Sequence, residues 1–297
     1  MDITTDINYY MARLPLLWSR IKPRFTVKLG EKTLRVPFAT YLNKWRPSWK
    51  TELIGHFVKL NSGDFIDIGA NVGQTLSDFY SLNHQGRYIG FEPNPDCVSA
   101  LQEIIRQNGL EGYSIAPVGL SDKNTILSLY SGSTSLRDPG ATTVADLRPA
   151  KRCDFQLVPV HRFDDIREAL AIDKIAFMKI DVEGAERQVL EGMPEILAEL
   201  KPPITCEVLR MDAHADKVNY QNNVGRLMSL LASSNYLVFR INKTTDASHV
   251  VSLTPLTEFP LDVWSTETTE ANDYLFIPRD KEAQIPKAWL PPERNSS

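Results

Sequence analysis

The sequence predicts a Rossmann-like α/β fold, with a mainly parallel sheet and helices on both of its faces. Three observations lead to this prediction. Strand patterns alternate with helix patterns from about residue 64 onward, several strands are strongly apolar, and four of these strands end in a carboxylate. Ligands of such sheets bind beside the carboxyl ends of the strands, near the point where the strand order reverses.

The composition is that of an ordinary globular protein, with 42% hydrophobic residues, 24% charged residues and a net charge of −4 over 297 residues. This charge gives no general attraction to nucleic acid or to an anionic membrane. No stretch reaches the roughly 18 apolar residues of a membrane span. The start MDITTDINYY lacks the pattern of a secretory signal, and the three separated cysteines offer no zinc site. We therefore expect a cytoplasmic protein without a membrane span.

Residues 1–50 are predicted to form an N-terminal extension, and residues 51–297 are predicted to form the main domain. Within the extension, the stretch RFTVKLGEKTLRVPF alternates on both sides of Gly30-Glu31, which indicates a β-hairpin. The amphipathic pattern from Trp49 to Leu60 predicts the helix that leads into the main domain.

The main domain continues with alternating strands and helices. The predicted strands are FIDIG, YIGFE, SIAPVGL, AFMKID, ITCEVL, YLVFRIN and DYLFIP. The predicted helices span about residues 95–107, 185–200 with a break near Gly192, and 224–233. One segment, residues 131–150, is rich in Ser, Thr, Gly and Pro, and it interrupts this alternation. It is either a lid or binding loop or a disordered surface insertion.

Four acids lie at the ends of apolar strands: Asp67, Glu92, Asp181 and Glu207. An acid at the end of a buried strand is costly unless it is paired or solvated in a cleft. Because the parallel strands end at the same edge of the sheet, four such acids together indicate a binding or catalytic site there.

The turn that follows the first of these strands favours a particular ligand. Asp67 stands where the dinucleotide fingerprint G-x-G-x-x-G has its first glycine, and no P-loop is present. A pyrophosphate therefore fits poorly, whereas S-adenosylmethionine carries a sulfonium and an ammonium and no phosphate. Gly69 and Gly73 let the backbone approach this ligand closely, Asp67 can face its cationic end, and Glu92 can accept hydrogen bonds from its ribose.

Several separate stretches together resemble one known family. In order along the chain they are FIDIGANVGQT, IGFEPNPD, VGLSD, FMKIDVEGAERQVLEG and CEV, and they resemble the FkbM family of methyltransferases. The resemblance covers roughly residues 65–278, and KIDVEGAE is its most distinctive part. It implies a class I methyltransferase sheet of seven strands, in which a late antiparallel strand inserts beside the parallel ones.

The resemblance also implies S-adenosylmethionine as methyl donor and a hydroxyl of a sugar, glycan or other small natural product as acceptor. The cofactor-binding residues that it implies are Asp67, Gly69, Asn71 and Gly73 at the methionine end, Glu92, Pro93 and Asn94 at the ribose, Ser121 and Asp122 near the adenine, and Asp181 between methionine and acceptor. Ala141-Thr142-Thr143 departs mildly from a Ser-rich segment of the family, and this departure could bear on the acceptor.

Methyl transfer to a hydroxyl calls for a group that removes its proton. The candidate catalytic residues are Asp181, Glu207 and His214, with Asp181 as the first candidate base and His161 as a further histidine. Asp181 could instead cap the following helix. Asp181 and Glu207 could together hold a divalent metal such as Mg²⁺, although a metal is not favoured. Lys179 could reach an acid on the sheet or extend to solvent.

Three alternatives stay open. The chain could be a catalytically silent binding subunit with a methyltransferase fold, or an NAD-dependent oxidoreductase, which Asp67 disfavours. Methylation of nucleic acid is disfavoured by the acidic balance and by the lack of basic residues interleaved with aromatic ones. The identity of the acceptor and the oligomeric state do not follow from the sequence.

Overall fold

The architecture is described from a computed structural model of the 297-residue chain. The structure describes residues 25–37, 45–131, 140–144, 154–211, 216–265 and 271–291. Most of the extension, most of the segment 131–150 and His214 therefore lie outside the described residues. The predicted boundary at residue 50 stays a prediction.

The described chain contains thirteen strands. They are β1 (Phe25–Leu29), β2 (Lys32–Val36), β3 (Asp64–Ile68), β4 (Tyr88–Phe91), β5 (Tyr113–Ala116), β6 (Gly119–Leu120), β7 (Thr125–Ser131), β8 (Asp154–His161), β9 (Ile175–Ile180), β10 (Ile204–Glu207), β11 (Tyr236–Lys243), β12 (Val250–Leu256) and β13 (Asp273–Pro278).

The described helices flank these strands. They are α1 (Trp49–Leu60), α2 (Gln74–Ser81), α3 (Pro95–Asn108), α4 (Phe163–Arg167), α5 (Glu186–Glu191) and α6 (Lys217–Ser233). A π-helical turn (Ile196–Leu200) and two 3₁₀ turns (Arg279–Gln284 and Lys287–Trp289) complete the set.

The central sheet confirms the predicted α/β fold, and it has eight strands rather than seven. Its order is β12-β11-β13-β10-β9-β3-β4-β5. Neighbours from β10 to β5 pair in parallel, whereas β13 pairs antiparallel with both β10 and β11, which is the inserted antiparallel strand that the family resemblance implied. The eighth strand, β12, pairs antiparallel with β11 at the edge. Strand β12 thus adds one strand to the edge of the sheet.

Two hydrophobic clusters cover the two faces of this sheet. Because side chains alternate along a strand, Phe65 of β3 enters one cluster with α1, α2 and α3. Ile66 and Ile68 enter the other cluster, with α5, the π-helical turn and α6. The covered faces explain why β3 and β9 are buried along their whole length.

The predicted hairpin is present as β1 and β2, with Gly30 in the left-handed conformation at the turn. Its inward residues are Val27, Leu29, Leu34 and Val36, and they belong to the same cluster as α1 and α2. The backbone of Arg35 also exchanges hydrogen bonds with the Asn108 side chain at the end of α3. The hairpin therefore packs directly on the main domain.

Two predicted elements differ from the observed ones. The predicted strand SIAPVGL is divided, because β5 joins the central sheet whereas β6 pairs with β8 in a three-stranded sheet of order β6-β8-β7. Helix α6 begins at Lys217 rather than near Val224. Asp216 caps this helix by accepting hydrogen bonds from the backbone of Val218 and Asn219. The cap stabilises the first half of the helix, which is polar and has no apolar periodicity.

Candidate active site

A cavity of about 220 Å³ lies at the carboxyl ends of the parallel strands. Its wall includes the turns after β3, β4, β9 and β10, which is the edge predicted from the four acids. Helices α1 and α2 contribute from one side, and the three-stranded sheet contributes Gly119, Leu120, Leu129 and Val160 from another. Ala141 and Thr143 also line it, so a described part of the segment 131–150 reaches the cavity.

The turn after β3 is packed tightly against the end of β9. Gly69 has a φ of +80°, and a Cβ atom added there would come within 1.9 Å of the carbonyl oxygen of Asp181. Only glycine fits this approach without strain. Gly69, Ala70 and Asn71 line the cavity, whereas Gly73, at the start of α2, does not.

Asp67 does not line the cavity. Its register partner on the neighbouring strand is Lys179, whose ammonium lies 3.1 Å from Asp67 Oδ1. The Tyr88 hydroxyl donates a hydrogen bond to Asp67 Oδ2, and the Asp67 side chain is fully buried. The Asp67 carboxylate is therefore already paired with an ammonium inside the sheet. Lys179 reaches an acid rather than solvent.

Lys179 connects this buried pair to the cavity. Its ammonium donates a hydrogen bond of 2.7 Å to the carbonyl oxygen of Gly69 and lies 3.7 Å from Asp181 Oδ2. Burial by itself would lower the pKa of Lys179, but the carboxylates of Asp67 and Asp181 raise it above its usual value. A permanent positive charge thus lies beneath the turn that the glycines form.

Glu92 is held in place by the backbone at the end of β4. Its Oε2 accepts from the Asn71 amide at 2.8 Å, and its Oε1 accepts from the Asn94 amide at 2.8 Å. Burial raises the pKa of Glu92 to about 7, against the lowering effect of these two amides. Glu92, Pro93 and Asn94 all line the cavity, and a carboxylate can accept further hydrogen bonds there.

Asp181 and Glu207 lie at the ends of β9 and β10 and are hydrogen-bonded to each other. Although burial opposes it, the ammonium groups of Lys179 and Lys50 lower the pKa of Asp181. Burial and the neighbouring carboxylates of Asp181 and Asp273 raise the pKa of Glu207 to about 9. In this pair Asp181 is therefore the stronger acid, and Glu207 holds its proton more tightly. Helix α5 begins only at Glu186 and has Ala185 at its N-cap, so Asp181 does not cap it.

Sequence reasoning missed two charged residues of the cavity wall, Lys50 on α1 and Asp78 on α2. The Lys50 ammonium lies 3.8 Å from Asp181 Oδ2. Asp78 Oδ1 accepts hydrogen bonds from Trp45 Nε1 at 2.8 Å and from Thr51 Oγ1 at 2.9 Å. The signal available in the sequence was Asp78 itself, a charged residue between Leu76 and Phe79. All three of these residues are buried.

Other predicted residues lie elsewhere. Ser121 is buried and donates to Asp122, and neither residue lines the cavity. His161 ends β8 and is not among the lining residues either. Glu183 lines the cavity, whereas Glu186 is buried away from it, and burial raises its pKa to about 8.

The described residues contain no group of three or more His, Cys, Asp or Glu side chains arranged to hold a metal ion. The predicted absence of a required metal stays a prediction. In the part of the chain that the structure describes, no helix combines the length and apolar character that a membrane crossing requires.

The strand order, the inserted antiparallel strand and the cavity at the carboxyl edge define a class I methyltransferase fold. A comparison with protein families agrees with this class. The profile described as the methyltransferase FkbM domain matches residues 67–238, more than half of the chain. The chain therefore belongs to the FkbM methyltransferase family, as its motifs predicted.

The individual proteins that resemble this chain have low sequence identity to it. Methyltransferase sdnD of Sordaria araneosa is 30% identical over an alignment of 175 residues, and the match covers 50% of this chain and 67% of that protein. The crystal structure of methyltransferase FkbM from Methylobacillus flagellatus KT is 17% identical with a TM-score of 0.43, and the match covers 73% of this chain and only 43% of that one. An O-methyltransferase from Thermotoga maritima has 11% identity, a TM-score of 0.36, and coverage of 86% of this chain and 76% of its own.

Proposed function

We propose that the chain is an S-adenosylmethionine-dependent O-methyltransferase that acts on a hydroxyl of a sugar, a glycan or another small natural product. The observation that carries this proposal is the charge of the cavity wall, where acids outnumber lysines. Among the described lining residues the acids are Asp78, Glu92, Asp181, Glu183 and Glu207, and the lysines are Lys50 and Lys179. If Glu207 is left out because its pKa is raised to about 9, four acids still face two lysines. Such a wall disfavours a phosphate-bearing dinucleotide and favours a cationic nucleoside.

The residues present fit S-adenosylmethionine. Glu92 is fixed by two amides and keeps lone pairs for the two hydroxyls of a ribose. Because Gly69 has no side chain, the turn packs closely against the backbone of Asp181. Gly69 and its neighbours Ala70 and Asn71 all line the cavity. The apolar side chains of Leu120, Leu129 and Val160 offer a surface for a purine.

When bound, S-adenosylmethionine supplies an electrophilic methyl group. Asp181 is the proposed base, because it is ionised and lines the cavity. It would accept the proton of the acceptor hydroxyl while the oxygen bonds to the methyl carbon and the bond from that carbon to sulfur breaks, with S-adenosylhomocysteine as the leaving group. Glu207 keeps its own proton and donates a hydrogen bond to Asp181, which orients that carboxylate. The ammonium groups of Lys179 and Lys50 lie 3.7 Å and 3.8 Å from Asp181 Oδ2 and hold this carboxylate ionised.

The first test is a calorimetric titration of the purified chain with S-adenosylhomocysteine, with NADH as the control ligand. We expect micromolar binding of S-adenosylhomocysteine, binding at least tenfold weaker in Glu92→Ala, and no binding of NADH. Binding of NADH alone would favour the oxidoreductase. A chain that binds neither ligand would contradict the proposed cofactor.

Activity is then tested with S-adenosylmethionine and a panel of hydroxylated acceptors, and products are detected by the mass of an added methyl group. Fragmentation or NMR that places this group on oxygen supports O-methyl transfer. Cofactor binding without transfer to any acceptor would favour the silent binding subunit.

A further inference from the structure

We propose that Lys50 and Asp78 form a subsite for the amino-acid end of the cofactor, with Asp78 binding its ammonium and Lys50 its carboxylate. This inference rests on the proposed use of S-adenosylmethionine. It assigns a binding role to α1, which precedes the segment 67–238 that matches the family. It also replaces Asp67, whose carboxylate is already paired within the sheet.

Asp78 is a buried carboxylate with one oxygen left over. The residue is only 6% exposed and lines the cavity. Its Oδ1 accepts both hydrogen bonds that the described residues supply, from Trp45 and Thr51, and its Oδ2 accepts none of them. This second oxygen is not among the fully enclosed polar atoms of the described residues that lack a partner. It is therefore accessible, and because Asp78 lines the cavity it is suited to a cationic donor there.

Lys50 is a cation whose hydrogen-bonding capacity is unused by the described residues. Its nearest carboxylate oxygen, Asp181 Oδ2, lies 3.8 Å away, which exceeds hydrogen-bonding distance. Burial would lower the pKa of Lys50, but several surrounding carboxylates raise it, with Asp181 and Asp273 contributing most. The ammonium therefore stays charged and has donors available for a carboxylate ligand.

The two groups are fixed at the same end of the cavity. Thr51 follows Lys50 in the first turn of α1, and its hydroxyl bonds directly to Asp78 on α2. An α-amino acid carries an ammonium and a carboxylate on one carbon atom, so a neighbouring carboxylate and ammonium are complementary to both of its charges.

The order of strands supports this orientation of the cofactor. Glu92 follows β4, and Lys50 lies near Asp181, which follows β9. Since β4 and β9 flank β3 on opposite sides, a ligand that reaches from Glu92 to the neighbourhood of Asp181 crosses the turn after β3. That direction leads toward α2, where Gln74, Thr75 and Asp78 line the cavity.

The test compares S-adenosylhomocysteine with 5′-methylthioadenosine, which has the same nucleoside and sulfur but lacks the amino acid. Both ligands are titrated by calorimetry into the full chain and into Lys50→Met, Asp78→Asn and Lys59→Met. Lys59 is an exposed lysine of the same helix and serves as the matched control. Because Asp78 is buried, the folding of its variant is checked by circular dichroism, and Lys50→Met carries the test if that variant does not fold.

We expect Lys50→Met and Asp78→Asn each to weaken S-adenosylhomocysteine about tenfold or more, the effect of one charge-assisted hydrogen bond. Binding of 5′-methylthioadenosine should change less than about twofold, and Lys59→Met should match the wild type for both ligands. Equal losses for both ligands, or no loss for S-adenosylhomocysteine, would overturn the subsite. A wild-type chain that binds neither ligand would instead overturn the proposed function.

Discussion

Asp181 and Glu207 are neighbouring carboxyl groups whose pKa values are shifted in opposite directions. Two lysines lower the pKa of Asp181, whereas burial and neighbouring acids raise that of Glu207 to about 9. Only an unprotonated group can accept a proton, so Asp181 rather than Glu207 is the base that we propose. The sequence suggested both acids, but their division of roles depends on Lys50 and Lys179, which come from separate elements.

This division predicts the effect of a single substitution. Asp181→Asn removes the proposed base, and we expect kcat for the first acceptor identified to fall by about 10²-fold or more. The dissociation constant of S-adenosylhomocysteine should change little, because Asp181 is proposed to act on the acceptor. Methyl-transfer kinetics and calorimetry measure the two quantities separately.

Asp280→Asn is the matched control for this substitution. Asp280 follows a strand as well, but it is exposed, it does not line the cavity and it pairs with Lys201. Its variant should keep both kcat and cofactor affinity. If the two variants lose activity to the same extent, Asp181 is not the base.

Single residues also show how far sequence reasoning extends. The acids at the strand ends could be located because each follows a strongly apolar run, and Glu92, Asp181 and Glu207 do line one cavity. The surroundings of Asp67 could not be predicted, since they require the register that places Lys179 beside it. Lys50 and Asp78 were missed because no motif links α1 to α2.

At the scale of elements, the hairpin of β1 and β2 is joined to the main domain by apolar packing. Its inward residues share one cluster with α1, α2 and β3. This cluster also supports the first turn of α1, where Lys50 lines the cavity and Thr51 donates a hydrogen bond to Asp78. The hairpin and the site are thus connected through a single short helix.

Leu34→Ala tests whether the hairpin is part of that core. Leu34 is 0% exposed, and we expect the variant to lose about 2–5 kcal/mol of the free energy of unfolding, as buried leucines do. Urea denaturation followed by fluorescence should show one shifted transition. Thr33→Ala, an exposed position on the same strand, should change stability by less than about 0.5 kcal/mol. An unshifted main transition would mean that the hairpin is a separable extension.

Elements with a strong local signal could be predicted, and elements defined by their partners could not. The bounds of α1 and the hairpin follow from periodicity and from Gly30. Strand β12 (Val250–Leu256) contains Pro255 and was missed, because an edge strand tolerates proline where an interior strand does not. Likewise, the division of SIAPVGL into β5 and β6 depends on which sheet each half joins.

For the whole molecule, the cost of burying acids affects stability as well as chemistry. Burial raises the pKa of Asp78 to about 6, of Glu92 to about 7, of Glu186 to about 8 and of Glu207 to about 9. The unfolded chain releases these protons near pH 4 to 4.5. Between that pH and the raised values the folded chain binds more protons, so its stability decreases as pH rises.

Glu186 isolates this effect, because it is buried but does not line the cavity. Without ligand, we expect the wild-type free energy of unfolding to fall between pH 5 and pH 8, as measured by urea denaturation. Glu186→Gln keeps an acceptor for the Gly184 amide and removes the ionisation, so its fall should be shallower by up to about 1.4 kcal/mol per pH unit. The exposed control Glu111→Gln should keep the wild-type slope. Equal slopes for the two variants would show that Glu186 titrates in the folded chain as it does in the unfolded one.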